Sequence, residues 1–139
     1  MIILDTNVVS ALMQRSPDVA VIDWLNEQPA ESIWLTSITM FETRFGLALM
    51  PKGRRRESLE AAFDRLLSED LDKRVLDFDV PAASAAAIVA AARQRAGRPV
   101  DMRDTQIAGI AVSRNATLAT RNTKHFTDLS VDVVNPWDE

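Results

Sequence analysis

A chain of 139 residues without a single cysteine has no disulfides and no thiolate metal ligands, and its length suits one core of ordinary domain size. Hydrophobic residues at 47% and charged residues at 26% place it among globular proteins, and no apolar run is long enough to span a bilayer. A net charge of −4 with a pI near 5.0 excludes the overall basic signature of many nucleic-acid binders but not local basic patches. The N-terminus lacks the pattern of a secretory signal, so a cytoplasmic location is expected, and residues 1–139 read as a single domain.

Ile2-Ile3-Leu4 predicts a buried strand that stops on Asp5. Val8, Val9, Ala11 and Leu12 then recur at helical spacing, which puts Asp5 at a strand-to-helix junction. In open α/β sheets that edge is where ligands bind. Asp5 and Thr6 also suit the N-cap of the helix. Ser16-Pro17-Asp18 marks a turn, and a second helix is expected from Val19 to Glu27. Ser32 to Thr36 reads as a strand, followed by Ser37 as the cap of a helix from Ile38 to about Met50. After the break at Pro51-Lys52-Gly53, Arg54 to Ser68 forms an amphipathic helix with Leu59, Phe63, Leu66 and Leu67 on its apolar side. Val75 to Phe78 is a third strand. Pro81 opens an alanine-rich helix that Gly97 closes. Arg98 to Asp101 connects to a helix from Met102 to Arg114; Ala116–Ala119 and Val131–Val134 are the last strands, and Asp138 and Glu139 are expected to fray. The alternation predicts an α/β, three-layer fold with a mostly parallel five-stranded central sheet flanked by helices.

Several carboxylates fall where apolar residues are expected. Ile38, Phe45 and Leu49 share one helical stripe, and Glu42 sits on its edge, facing the core or the sheet edge. A carboxylate there needs a cation, a metal or a proton; Arg44 is one candidate partner. Asp104 shares a face with Ile107, Ala108 and Ala111, in a first turn where the helix N-terminus also favours negative charge. Asp101 is placed as the N-cap of the same helix. Thr120 ends the fourth strand with Asn122 in reach, although Asn122 also suits the cap of a short turn. His125, the only histidine, is expected at the surface or beside the site rather than as a ligand. In a parallel sheet all these points share one edge. Crowded carboxylates need a cation. Oxygen ligands select Mg²⁺ or Mn²⁺, and two such ions roughly 3.5–4 Å apart suit phosphodiester hydrolysis.

Ile3-Leu4-Asp5-Thr6-Asn7, Phe41-Glu42, Asp104-Thr105-Gln106-Ile107-Ala108 and Ala119-Thr120-Arg121-Asn122 with Phe126 closely resemble the motifs of PIN-domain ribonucleases, most of all the VapC and FitB-type toxins of bacterial toxin–antitoxin modules. The resemblance covers essentially the whole chain. It implies an endoribonuclease that depends on Mg²⁺ or Mn²⁺ and cuts RNA with metal-activated water. Asp5, Glu42 and Asp104 match the three central acidic positions, which hold the metal. Asn122 matches a fourth position, often Asp, and as a neutral amide is a weaker ligand. Thr6 and Thr120 match hydroxyl-bearing positions beside the site; Asp101 matches none. The resemblance further implies a homodimer held inactive by a cognate antitoxin, whose tail presents a basic side chain to the acidic site.

RNA binding requires cations for the phosphates. Lys52, Arg54, Arg55 and Arg56 form the strongest basic run, which also reads as a solvated helix start. Arg93, Arg95, Arg98 and Arg121 are further candidates, with Arg121 preferred for its place beside the site loop. No aromatic platform for bases is evident, and the three tryptophans read as packing residues. Two other classes compete: a phosphoryl-transfer domain working through an aspartyl-phosphate, which leaves Glu42 unexplained, and a non-catalytic module binding RNA or protein at the same edge. Nucleotide-binding glycine loops are missing from the sequence.

Overall fold

The computed structural model describes residues 1–138. Five strands, β1 (Ile2–Leu4), β2 (Ile33–Thr36), β3 (Val75–Leu76), β4 (Thr117–Ala119) and β5 (Val133–Val134), form one sheet in the order β3-β2-β1-β4-β5. Every neighbouring pair is parallel, with Ile3 opposite Trp34 on one side and Leu118 on the other. The edge strands β3 and β5 are two residues long, shorter than the sequence patterns predict; short edges expose few unpaired backbone groups.

Six α-helices cover the sheet: α1 (Thr6–Met13), α2 (Val19–Asn26), α3 (Ser37–Leu49), α4 (Arg54–Arg65), α5 (Val80–Arg95) and α6 (Met102–Arg114). Successive β1 side chains point to opposite faces and feed different cores. Leu4 packs with Val8, Val9, Val21, Trp24, Leu47 and Phe63 under α1, α2, α3 and α4. Ile3 packs with Ala82, Ile107, Ile110, Leu118 and Phe126 under α5 and α6. A strand that serves two cores must be apolar throughout, which is why Ile2-Ile3-Leu4 does not alternate.

The start of α3 departs from expectation. Its N-cap is Thr36, whose Oγ1 accepts from Thr39 N at 3.0 Å, while Ser37 Oγ accepts from Phe78 N at 3.1 Å. The helix is turned so that Thr39, Thr43 and Leu47 face inward. Phe45 and Leu49, predicted for the buried stripe, stand exposed with Phe41.

The α4 helix continues into a wider π turn over Leu66–Asp70. On the opposite face α5 and α6 meet closely, because α5 presents Ala82 and Ala86 where α6 carries Gly109. At the C-terminus Asp138 is held in a turn, its N–H donating to Asn135 O at 3.1 Å; Glu139, the other half of the expected frayed end, lies outside the described residues.

Candidate active site

The parallel sheet delivers Asp5 and Thr120 side by side at its C-terminal edge. Asp5 N–H donates to Ala119 O at 2.9 Å, the last rung between β1 and β4. Asp5 caps α1 with one oxygen, Oδ1, which accepts from Thr6 N at 2.8 Å. The other oxygen, Oδ2, accepts from Thr120 Oγ1 at 2.7 Å. Asp5 is 4% exposed, and among the described residues no arginine, lysine or histidine forms an ion pair with it. Burial pushes its pKa up to about 6; the hydrogen bonds from Thr120 and Thr6 oppose this, and the charges of Asp104 and Glu42 add to it.

The second turn of α3 brings in Glu42. Its Oε1 accepts from Thr6 Oγ1 at 2.8 Å, and Thr6 Oγ1 lies 3.1 Å from Thr39 Oγ1. Arg44 is not its partner: that guanidinium pairs with Asp64 at 2.8 Å and lies over the Phe63 ring. The cation beside Glu42 is Arg103, with Nη1 3.6 Å from Oε2. Asp104 enters from the first turn of α6, which Asp101 caps as predicted, Oδ1 accepting from Asp104 N at 3.0 Å. His125 Nδ1 stands 3.4 Å from Asp104 Oδ2, and His125 is exposed. Burial, then the like charge of Asp101, raises the Asp104 pKa; His125 and Arg93 oppose.

Thr120 is fully buried and joins three segments. Besides donating to Asp5, its Oγ1 accepts from Asn7 Nδ2 at 3.2 Å and from Asn122 N at 3.1 Å. Asn7 Oδ1 in turn accepts from Arg121 N at 3.1 Å. Asn122 stands exposed at the rim, and its side chain makes no capping hydrogen bond to the turn Thr123–Phe126 that follows.

The sequence pattern alone assigns no role to Asn7, Thr39 or Arg103. The first lies within a motif already singled out, and its spacing from Asp5 was the available signal. Thr39 and Arg103 gave none, since their contacts depend on how α3 and α6 are turned.

The basic candidates separate sharply. Arg93 is buried, contrary to its reading as a phosphate contact: Nε and Nη2 donate to the two oxygens of Asp128 at 2.8 and 3.0 Å, and Nη2 to His125 O at 2.7 Å. Arg121 is exposed beside Asn122, its guanidinium 4.8 Å over the Trp137 ring. Arg98, Lys124 and His125 line a cleft of about 190 Å³ that reaches Asp104. Arg54 and Arg55 stand exposed at the start of α4, beyond the far end of α3 from its capped, Glu42-bearing first turns. Arg56 pairs with Glu60 at 2.9 Å and donates to Met50 O at 3.2 Å. Exposed aromatic surface does exist: Phe41 and Phe45 stack at 5.8 Å with an interplanar angle of 5°.

A larger groove of about 780 Å³ runs past Leu12, Met13, Ile22, Leu25, Ala62 and Leu66, and includes none of Asp5, Glu42 and Asp104. The three carboxylates lie at the acidic edge, outside this larger groove. That edge offers oxygen donors from Asp5, Glu42 and Asp104, a set suited to a hard divalent cation. In this conformation, among the described residues, no three His, Cys, Asp or Glu side chains converge into a ready cage; Glu42 turns to Thr6 and Arg103, and Asp104 to His125.

Residues 2–131 match the PIN domain family. The plasmid stability protein StbB of Pseudomonas syringae pv. tomato is 41% identical over 138 residues, 99% of each chain. The VapC ribonuclease Y4jK of Sinorhizobium fredii is 39% identical over 138 residues, again 99% of each. Among solved structures, FitAcB from Neisseria gonorrhoeae superposes with a TM-score of 0.86 at 34% identity, covering 100% of both chains. With the buried aspartate at the end of β1, the parallel sheet and this near-complete match in agreement, the chain belongs to the PIN-domain family.

Proposed function

We propose that this chain is a divalent-metal-dependent endoribonuclease and the toxin half of a toxin–antitoxin pair, folded as one domain. The observation that carries the reading is Asp5: a carboxylate 4% exposed, with a pKa near 6, at a sheet edge shared with Glu42 and Asp104. A buried carboxylate without a counter-charge is costly, and a bound cation removes that cost.

In this reading Asp5 and Asp104 hold the ion and Glu42 is a further ligand or the base that orients water. Mg²⁺ or Mn²⁺ would supply a Lewis acid that activates water and stabilises charge on the phosphate. Thr120 and Thr6 fix the carboxylates through their hydroxyls. Asn122, exposed at the rim, orients water or substrate, and Arg121 beside it takes an RNA phosphate, with Lys124 and Arg98 continuing the basic wall. Arg54 and Arg55 remain outer phosphate contacts, whereas Arg56 is engaged by Glu60. The same reading pairs the chain with a second copy and with an antitoxin that lays a basic side chain against the acidic edge.

The test is cleavage of total bacterial RNA by the antitoxin-free chain with Mg²⁺, Mn²⁺ or EDTA. Metal-dependent fragments are expected from the wild type, with at least a hundredfold loss in Asp5→Asn while the fold is retained. Equal cleavage by both proteins at matched concentration overturns the site assignment. Light scattering of the pure chain checks the homodimer.

A further inference from the structure

Arg103 holds an unusual position, next in sequence to Asp104 and close in space to Glu42. Its Nη1 lies 3.6 Å from Glu42 Oε2, too long for a hydrogen bond and within ion-pair distance. Its guanidinium carbon stands 5.7 Å from the ring centroids of both Phe41 and Phe45, two parallel rings on the outer face of α3. The side chain is 46% exposed, so it is held by ring faces and by one carboxylate rather than locked by hydrogen bonds. Glu42 spends its other oxygen on Thr6. Both Glu42 oxygens are therefore engaged within the chain, and the three carboxylates do not yet form a cage.

We infer that Arg103 is a built-in counter-charge that competes with the divalent cation for Glu42, with the Phe41–Phe45 pair as the cradle that keeps its guanidinium at the rim. The inference rests on the metal-nuclease reading above and adds a determinant of how tightly the ion is held. To bring Glu42 onto an ion, the chain gives up the Arg103 contact. A guanidinium a few ångströms away also repels a divalent ion directly, and that repulsion remains after the contact breaks. The ring faces hold the cation without neutralising it, so Arg103 weakens metal binding without leaving the site.

The test is Mn²⁺ alone titrated into the full chain, followed by calorimetry and by the loss of free-ion EPR signal, without RNA. Arg103→Gln is expected to tighten the Mn²⁺ dissociation constant by roughly tenfold at low salt and by less at high salt, as screening weakens the repulsion. Arg103→Lys keeps the charge and is expected to stay within about twofold of the wild type. Asp104→Asn is the control for the site itself and weakens binding. Unchanged or weaker affinity in Arg103→Gln, alongside a clear loss in Asp104→Asn, overturns the role of Arg103 and leaves the metal site standing. Equal tightening in the Gln and Lys variants also overturns it, because packing rather than charge is then responsible. Absence of Mn²⁺ binding in every variant overturns the metal reading and this inference together.

Discussion

Thr120 shows how much a single hydroxyl can hold. It donates to Asp5, accepts from Asn7 and Asn122, and has no exposure to water that would replace those partners. Thr120→Val keeps the shape but strips Asp5 Oδ2 of its short hydrogen bond, leaving it the 3.5 Å contact from Asn7 Nδ2, and leaves the Asn122 N–H without its acceptor, at about 1–3 kcal/mol each. The variant is expected to lose about 2–6 kcal/mol of stability, read by urea denaturation. It is also expected to cleave RNA at least tenfold more slowly, whereas Thr120→Ser keeps most of both. Asp5 and Thr120 were legible as residues because each ends a strand run, and a parallel sheet puts strand ends together. Asn7 was legible only as part of a motif: an amide in the first turn of a helix looks the same in sequence whether it faces solvent or bridges two strand ends.

At the scale of elements, two helix interfaces illustrate what periodicity can and cannot reveal. In α6, Ile107, Ala108 and Ala111 pointed correctly to a buried face, with Asp104 at its edge. In α3 the pattern misled, because the inward stripe is built from Thr39 and Thr43 as well as Leu47, and the large apolar residues Phe45 and Leu49 face out. Threonines count as polar in a pattern but bury readily once hydroxyls are satisfied locally, as Thr39 is with Thr6. Among the described residues Thr43 Oγ1 is buried and has no partner, so Thr43→Val is expected to stabilise the fold by about 1 kcal/mol. A thermal melt at matched pH checks it. The α5–α6 contact carries the opposite prediction. Exchanging Gly for Ala inside a helix ordinarily stabilises by about 1 kcal/mol. A Cβ on Gly109 would meet Ala82 O and Ala86 Cβ at 2.5 Å, so the helices must move apart. Gly109→Ala is expected to destabilise by about 1–3 kcal/mol, measured by urea denaturation, because overpacking outweighs propensity.

At the scale of the whole molecule, the charges that shape the site also set its response to acid. Asp5 and Asp104 pull one way and Asp128 the other. The folded pKa of Asp5, about 6, lies above its ordinary value of 3.8. Between those values the folded state holds a proton that the unfolded chain has released, so stability falls as pH rises through this window, by about 3 kcal/mol in total. Asp104, also raised, acts with the same sign. Asp128 is the reverse case: the Arg93 hydrogen bonds lower its pKa below 3.8, so its stabilisation is complete above that value and is lost as pH falls through the lowered one. The Arg93–Asp128 pair fastens the segment bearing Asn122 and His125 onto α5, and Asp128→Asn removes the counter-charge of a buried guanidinium that keeps its bond to His125 O, at up to about 3–5 kcal/mol. These three carboxylates taken together therefore favour the metal-free chain near pH 4–5 over neutrality. Thermal melts from pH 3 to 8 in EDTA read this directly. Asp5→Asn reduces the slope between pH 4 and 7 to what Asp104 contributes, and Asp128→Asn reduces it on the acid side. Saturating Mn²⁺ is expected to lift wild-type stability most at pH 7–8, where Asp5 is ionised, and least near pH 4. Parallel curves for the wild type and Asp5→Asn across pH 4–7 would contradict the share of the alkaline loss assigned to Asp5. The same outcome would remove the electrostatic reason for a cation at the end of β1.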